Sequence, residues 1–139
     1  METGVAYARI PDGEDRFQRL RQELGVSTFG MNLIRLAPGQ RGRIHRHLHQ
    51  EEVYLVLEGT LTLFVEGEPR ELARGELARV APGVRRQLVN RHPEPMLLFA
   101  LGGANEHVGR DGRAYESWDE QGEGRSPQEV PLPDDVEVA

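Results

Sequence analysis

Three of the five histidines in this chain fall within five residues, in "HRHLHQEEVYLVLEG" (residues 45–59), and two glutamates follow directly. Imidazole and carboxylate are ligand types for a first-row divalent metal ion. In a strand, side chains two apart share a face, so His45 and His47 can point into one space. Glu52 starts the next apolar run and can reach that space after a short turn. Glu51 is the alternative to Glu52. His49 has the same parity as His45 and His47, but it falls where a turn should break the alternation, so it is a further candidate and not a member of the set. Tyr54 shares a face with Glu52, and its hydroxyl could line the pocket or serve as a half-buried core aromatic. The competing reading of the cluster is a solvated polar turn leading into a strand.

The elements that must position these residues are strands. "VSTFGMNLIRL" (26–36) has a strand-like pattern ended by "PGQRG". "EVYLVLEG" (52–59) is apolar on both alternating faces, as expected of a strand buried on both sides, against a core and a second layer such as a partner subunit. "TLTLFVEGEPREL" forms a hairpin pattern turning at "EGE" (66–68). "ELARVAPGVRRQLVN" gives a strand, a Pro82-Gly83 turn and another strand, and "PMLLFALGG" (95–103) gives the last strong strand. Strands spaced by turn signals about every ten residues indicate an all-β sandwich or barrel over 26–103. Ahead of it, Phe17, Leu20 and Leu24 have helical spacing with Gly25 as a stop, which predicts a short helix in an N-terminal arm, residues 1–25. Behind it, 104–139 forms a polar extension. Residues 116–139 hold eight acidic side chains and one arginine. They are expected to form an extended or disordered tail anchored by Tyr115, Trp118 and "VPLP" (130–133).

The spacing Gly39, His45, His47, Glu52, Gly59 resembles the first motif of the cupin superfamily, G-x5-H-x-H-x3,4-E-x6-G, at every defined position. Gly75, Gly83 and Asn90 resemble the second motif. There the proline is displaced to Pro82, and Arg86 stands where the motif has histidine. The resemblance covers about residues 30–101. It implies a cupin double-stranded β-helix, a jelly-roll barrel with an internal pocket. It also implies a divalent transition metal (Mn, Fe, Ni or Zn) held by His45, His47 and Glu52, and pairing as a homodimer.

Arginine stays protonated and cannot take the place of the missing ligand. Three outcomes follow. Arg86 pairs with Glu52 and leaves a metal-free pocket. Arg86 swings aside from a three-ligand metal. Or an anionic substrate bridges metal and Arg86, with Arg86 and Tyr54 binding substrate. A one-residue slip in register would turn Arg85 inward instead.

Composition narrows the chemistry. The chain has 139 residues, enough for one domain. It has no cysteine, which excludes disulfides and thiolate sites. All 17 basic residues are arginine, so lysine Schiff-base chemistry is excluded. A net charge of −6 argues against a general nucleic-acid binder. No apolar stretch approaches the ~20 residues of a membrane span, and the N-terminus lacks a secretory h-region, so a cytoplasmic protein is expected. Two functions remain. One is a metal-dependent oxidoreductase, isomerase or lyase acting on a small anionic molecule. The other is a metal-free cupin that binds a small anion without catalysis, with Arg86 replacing the metal.

Overall fold

The computed structural model describes residues 4–10, 13, 15–103 and 111–138. Among these residues, ten strands form two antiparallel five-stranded sheets that face each other as a jelly roll. In chain order the strands are β1 (Phe17–Arg19), β2 (Gly30–Leu36), β3 (Ile44–His47), β4 (Glu51–Glu58), β5 (Leu61–Val65), β6 (Glu68–Leu72), β7 (Leu77–Val80), β8 (Arg86–Val89), β9 (Met96–Gly103) and β10 (Gly112–Tyr115). One sheet has the order β1-β2-β9-β4-β7 and the other β10-β3-β8-β5-β6. No helix among the described residues is long and apolar enough to cross a membrane.

Size grading along β9 decides where the core ends and the pocket begins. Its inward residues are Met96, Leu98, Ala100 and Gly102, all buried. Leu98 opposes Val56 on β4, and these two pack with Leu36, Leu61, Leu63 and Met96 in the core. Further along, Ala100 opposes Tyr54 and Gly102 opposes Glu52. Where β9 carries small residues the two sheets cannot close, and space remains beside β4. Gly59 stands at the other end of β4, beside a register shift between Val56 and Glu58. Its φ of +73° is one that L side chains rarely adopt. Asn90, fully buried, ties the β8 exit to β2 and the next turn by donating to the Leu36 and Glu94 carbonyls at 2.9 and 2.8 Å.

Both ends of the chain depart from expectation. The helix α1 covers only Leu20–Leu24, and Gly25 caps it in the left-handed region. Phe17 belongs to β1, which pairs with β2, so the N-terminal arm enters the sheet. β10 lies beyond the expected barrel boundary at residue 103 and pairs with β3 from Gly112↔His47 to Tyr115↔Ile44. Backbone pairing, which polar side chains do not forbid, draws it in. The tail then follows the barrel through arginine-to-carbonyl bonds. Arg43 donates to Val130 at 2.6 Å and Arg41 to Asp134 at 2.7 Å. Of the expected anchors, Tyr115 and Val130 are buried and Trp118 is half-buried.

Candidate metal centre

β3 carries His45 and His47, β4 carries Glu52 and Tyr54, and β8 carries Arg86. One ligand atom each from His45, His47 and Glu52 lies within 4.8 Å of the others. His47 Nε2 is 3.5 Å from Glu52 Oε2, and His45 Nε2 is 3.9 Å from Glu52 Oε1. The imidazoles stand edge to face with centroids 5.4 Å apart. Donors ~2.1 Å from a tetrahedral ion sit about 3.4 Å apart, so these three side chains fit a small divalent ion with little adjustment.

The histidine tautomers suit that role. His45 Nδ1 lies 3.1 Å from the Arg43 carbonyl oxygen, an acceptor only, so Nδ1 donates and Nε2 presents a lone pair toward Glu52. Burial lowers the His45 pKa below the ordinary imidazole value, against the raising effect of Glu52, and so favours the neutral, ligating form. His47 Nδ1 is buried without a hydrogen bond, 3.9 Å from Asp111 Oδ2.

Arg86 is fully buried and directly opposite His45 in the β3–β8 pairing. Its Nη2 donates to Glu52 Oε1 at 2.7 Å, its Nε to the Tyr54 hydroxyl at 3.2 Å, and its Nη1 to the Val84 carbonyl at 2.9 Å. The Tyr54 hydroxyl donates to the same Glu52 oxygen. Burial alone would raise the Glu52 pKa. The nearby His45 and His47 side chains, together with the Arg86 charge, instead hold it well below the usual carboxylate range. The Tyr54 hydroxyl is pushed upward, by burial and then by the Glu52 charge, and stays protonated. Arg86 therefore pairs with Glu52.

Arg86 lines neither of the two cavities beside the site, and its guanidinium donates to three acceptors. His49 is exposed and stands outside the three-residue cluster; only its backbone N–H takes part, donating to Asp111 Oδ2 at 2.8 Å. The register does not slip. Arg85 faces away, with its guanidinium 3.7 Å from the centroid of the Tyr115 ring. Glu51 is exposed and pairs with Arg79 at 2.9 Å. His92 pairs with Glu71, and His107 lies outside the described residues.

Two cavities of about 500 and 470 Å³ meet at the site and share Phe17, Arg19, Asn32, His47 and Glu52. The first continues past Arg21, Gln50 and Asp111. The second continues past Tyr54, Ile34, Leu36, Leu88 and Ala100. Asp111 escaped the sequence reading. It is buried, and its Oδ2 accepts the backbone N–H groups of His49 and Gln50, fixing the turn after His47 from more than sixty residues away. No local pattern marks such a residue. The arginines at 16, 19 and 21 did leave a visible signal, a basic run in an acidic chain, which helical periodicity obscured.

The family model described as "Cupin domain" matches residues 32–102, just over half of the chain. A sugar phosphate isomerase of the cupin superfamily from Silicibacter pomeroyi is similar in structure. Its TM-score is 0.64 at 28% identity, over 75% of this chain and 68% of that one. A cupin protein from Bacteroides fragilis has a TM-score of 0.65 at 21% identity, over 88% and 99% of the two chains, and shows likeness of fold alone. The tetracenomycin polyketide synthase protein TcmJ of Streptomyces glaucescens is 29% identical over 93 residues, 67% of this chain. This chain spans 62% of that relative's length. Both the residues matched by the family model and the jelly roll they build make this chain a member of the cupin family.

Proposed function

We propose that this chain is a metal-dependent cupin enzyme. His45, His47 and Glu52 hold a first-row divalent ion, and a small anionic molecule binds beside it in the cleft. The observation that carries the reading is the convergence of the three donors within 4.8 Å where the two cavities meet. A bound ion would supply Lewis-acid polarisation or, if iron, dioxygen chemistry, which keeps the oxidoreductase, isomerase and lyase classes together. Similarity to a sugar phosphate isomerase supports the isomerase class among them.

The protein's own part is electrostatic. Glu52 and Arg86 cancel in charge, and His45 is neutral, so the donor set offers little net negative charge. A divalent ion there would keep most of its own charge for the substrate. Tyr54 and Arg86 occupy Glu52 Oε1 and leave Oε2 on the His47 side. The side chains Ile34, Leu36 and Leu88 keep part of the cleft dry.

The Glu52–Arg86 pair also favours a second reading, a metal-free binding module, because the carboxylate is already neutralised. Elemental analysis of tag-free protein, purified without added metal, separates the two. A stoichiometric transition metal, lost in a His45→Ala/His47→Ala variant, supports the enzyme. Absence of metal, together with no thermal stabilisation by Mn, Fe, Ni or Zn ions, refutes it. The proposal includes a homodimer, supported by the apolar outer face of β4 and β9, where Val53, Leu55, Phe99 and Leu101 are only half-buried. A monomer in sedimentation at micromolar concentration would remove that part. It also includes a cytoplasmic setting, consistent with the lack of cysteine.

A further inference from the structure

Arginines gather at the cleft although the chain is acidic overall. Arg19 and Arg21 line the first cavity, and Arg16, Arg19 and Arg43 line the second. Arg16 and Arg43 each spend a donor on a backbone carbonyl, Arg41 at 2.7 Å and Val130 at 2.6 Å, which fixes their position; Asp135 offsets part of the Arg16 charge. Among the described residues, Arg21 Nε is buried without a hydrogen-bond partner. A buried guanidinium nitrogen without an acceptor is costly unless something fills the space beside it. Two carboxylates line the cleft against these four arginines. Glu52 is paired with Arg86, and Asp111, held by two backbone N–H groups, keeps its charge and offsets the arginines only in part. The other end of the cleft, around Ile34, Leu36 and Leu88, is apolar.

We propose that Arg19 and Arg21, backed by Arg16 and Arg43, bind the anionic group of the ligand, a carboxylate or a phosphate monoester, while its apolar body lies against Ile34, Leu36 and Leu88. The ligand class is a small amphiphilic acid that crosses the metal centre from one lobe to the other. This assignment rests on the proposed small-molecule function, and it moves anion recognition from Arg86 on β8 to the β1–α1 segment. Guanidinium groups recognise both oxyanions in the same way, by charge-assisted and often bidentate hydrogen bonds.

The test is calorimetric titration of chelator-treated, metal-free protein with benzoate, phenyl phosphate and the neutral analogue benzyl alcohol. At least one anion should bind at least about tenfold more tightly than benzyl alcohol, and the stronger of the two identifies the anionic group. Arg19→Gln/Arg21→Gln should weaken that anion by at least about tenfold and leave benzyl alcohol unchanged. Arg43→Gln provides a second variant should the first lose its circular dichroism signature. The proposal is overturned if neither anion binds better than benzyl alcohol, or if the folded variant keeps its anion affinity. Because no metal is present, either result is independent of the elemental analysis that tests the metal centre.

Discussion

Replacing Arg86 by histidine should convert a charge-compensated three-ligand site into a four-ligand one. Arg86 Nη2 is 2.7 Å from Glu52 Oε1. An ion bound ~2.1 Å from that carboxylate would lie within about 5 Å of the guanidinium. A unit charge and a divalent ion at that separation repel by about 7 kcal/mol at an effective dielectric of ~20. Relaxation and water would absorb much of this. Retaining about a third gives roughly 2 kcal/mol, or ~30-fold tighter metal binding in Arg86→His, before any gain from a fourth imidazole. The metal-free variant should suffer in the opposite sense. Removing one partner of a buried ion pair costs about 3 kcal/mol, which lowers the melting temperature by about 12 °C in a chain of this size. Competition titration with zinc or cobalt measures the first effect, and thermal unfolding with and without metal measures the second. The reasoning fails if metal affinity stays within about threefold of the parent, because the guanidinium would then not oppose the ion.

Two further outcomes follow from packing and charge outside the cavity. Gly59→Ala would place a Cβ against the Pro95 carbonyl oxygen and 3.0 Å from Met96 Cα, at a backbone φ of +73°. Strain and overpacking together should cost about 3 kcal/mol or more, read as a fall in urea midpoint with unchanged slope. For Glu71, partial burial would raise the carboxyl, but hydrogen bonds from Arg91, His92 and Thr62 outweigh it and hold its pKa below the ordinary glutamate value. A lowered folded-state value contributes stability above the unfolded-state pKa, and the contribution disappears as pH falls through the folded pKa. Because the pair with Arg91 is well exposed, Glu71→Gln should cost only about 0.5 kcal/mol at pH 7 and progressively less as pH falls through the folded pKa, measured by urea unfolding across the acidic range.

Much of the barrel was legible because its strands carry local signals. The hairpin expected at 60–72 appears as β5 and β6, with Glu66 and Gly67 both at positive φ in the turn. The last expected strand, 95–103, appears as Met96–Gly103. β10 was not legible, because it joins the sheet through main-chain pairing with β3, and main-chain hydrogen bonds leave no trace in side-chain hydropathy. β1 was hidden for a related reason: three residues are too few to show a period, and the helical spacing of its neighbours dominates the same window.

The sequence by itself brought out the candidate donors: strand alternation puts His45 and His47 on one face, and the spacing that resembles the cupin motif adds Glu52. The resemblance to the second cupin motif marked Arg86 as an unusual residue there, but left its position open. Only the tertiary structure placed its guanidinium. β3 and β8 pair so that Arg86 meets His45, and the buried guanidinium satisfies its charge on Glu52 and Tyr54. Nor could the sequence reveal that Asp111 fixes the turn after His47, or that arginines near residue 20 border the same cleft. Those are contacts between segments distant in the chain, brought together by sheet pairing and by packing around a core whose small residues on β9 leave the cleft open.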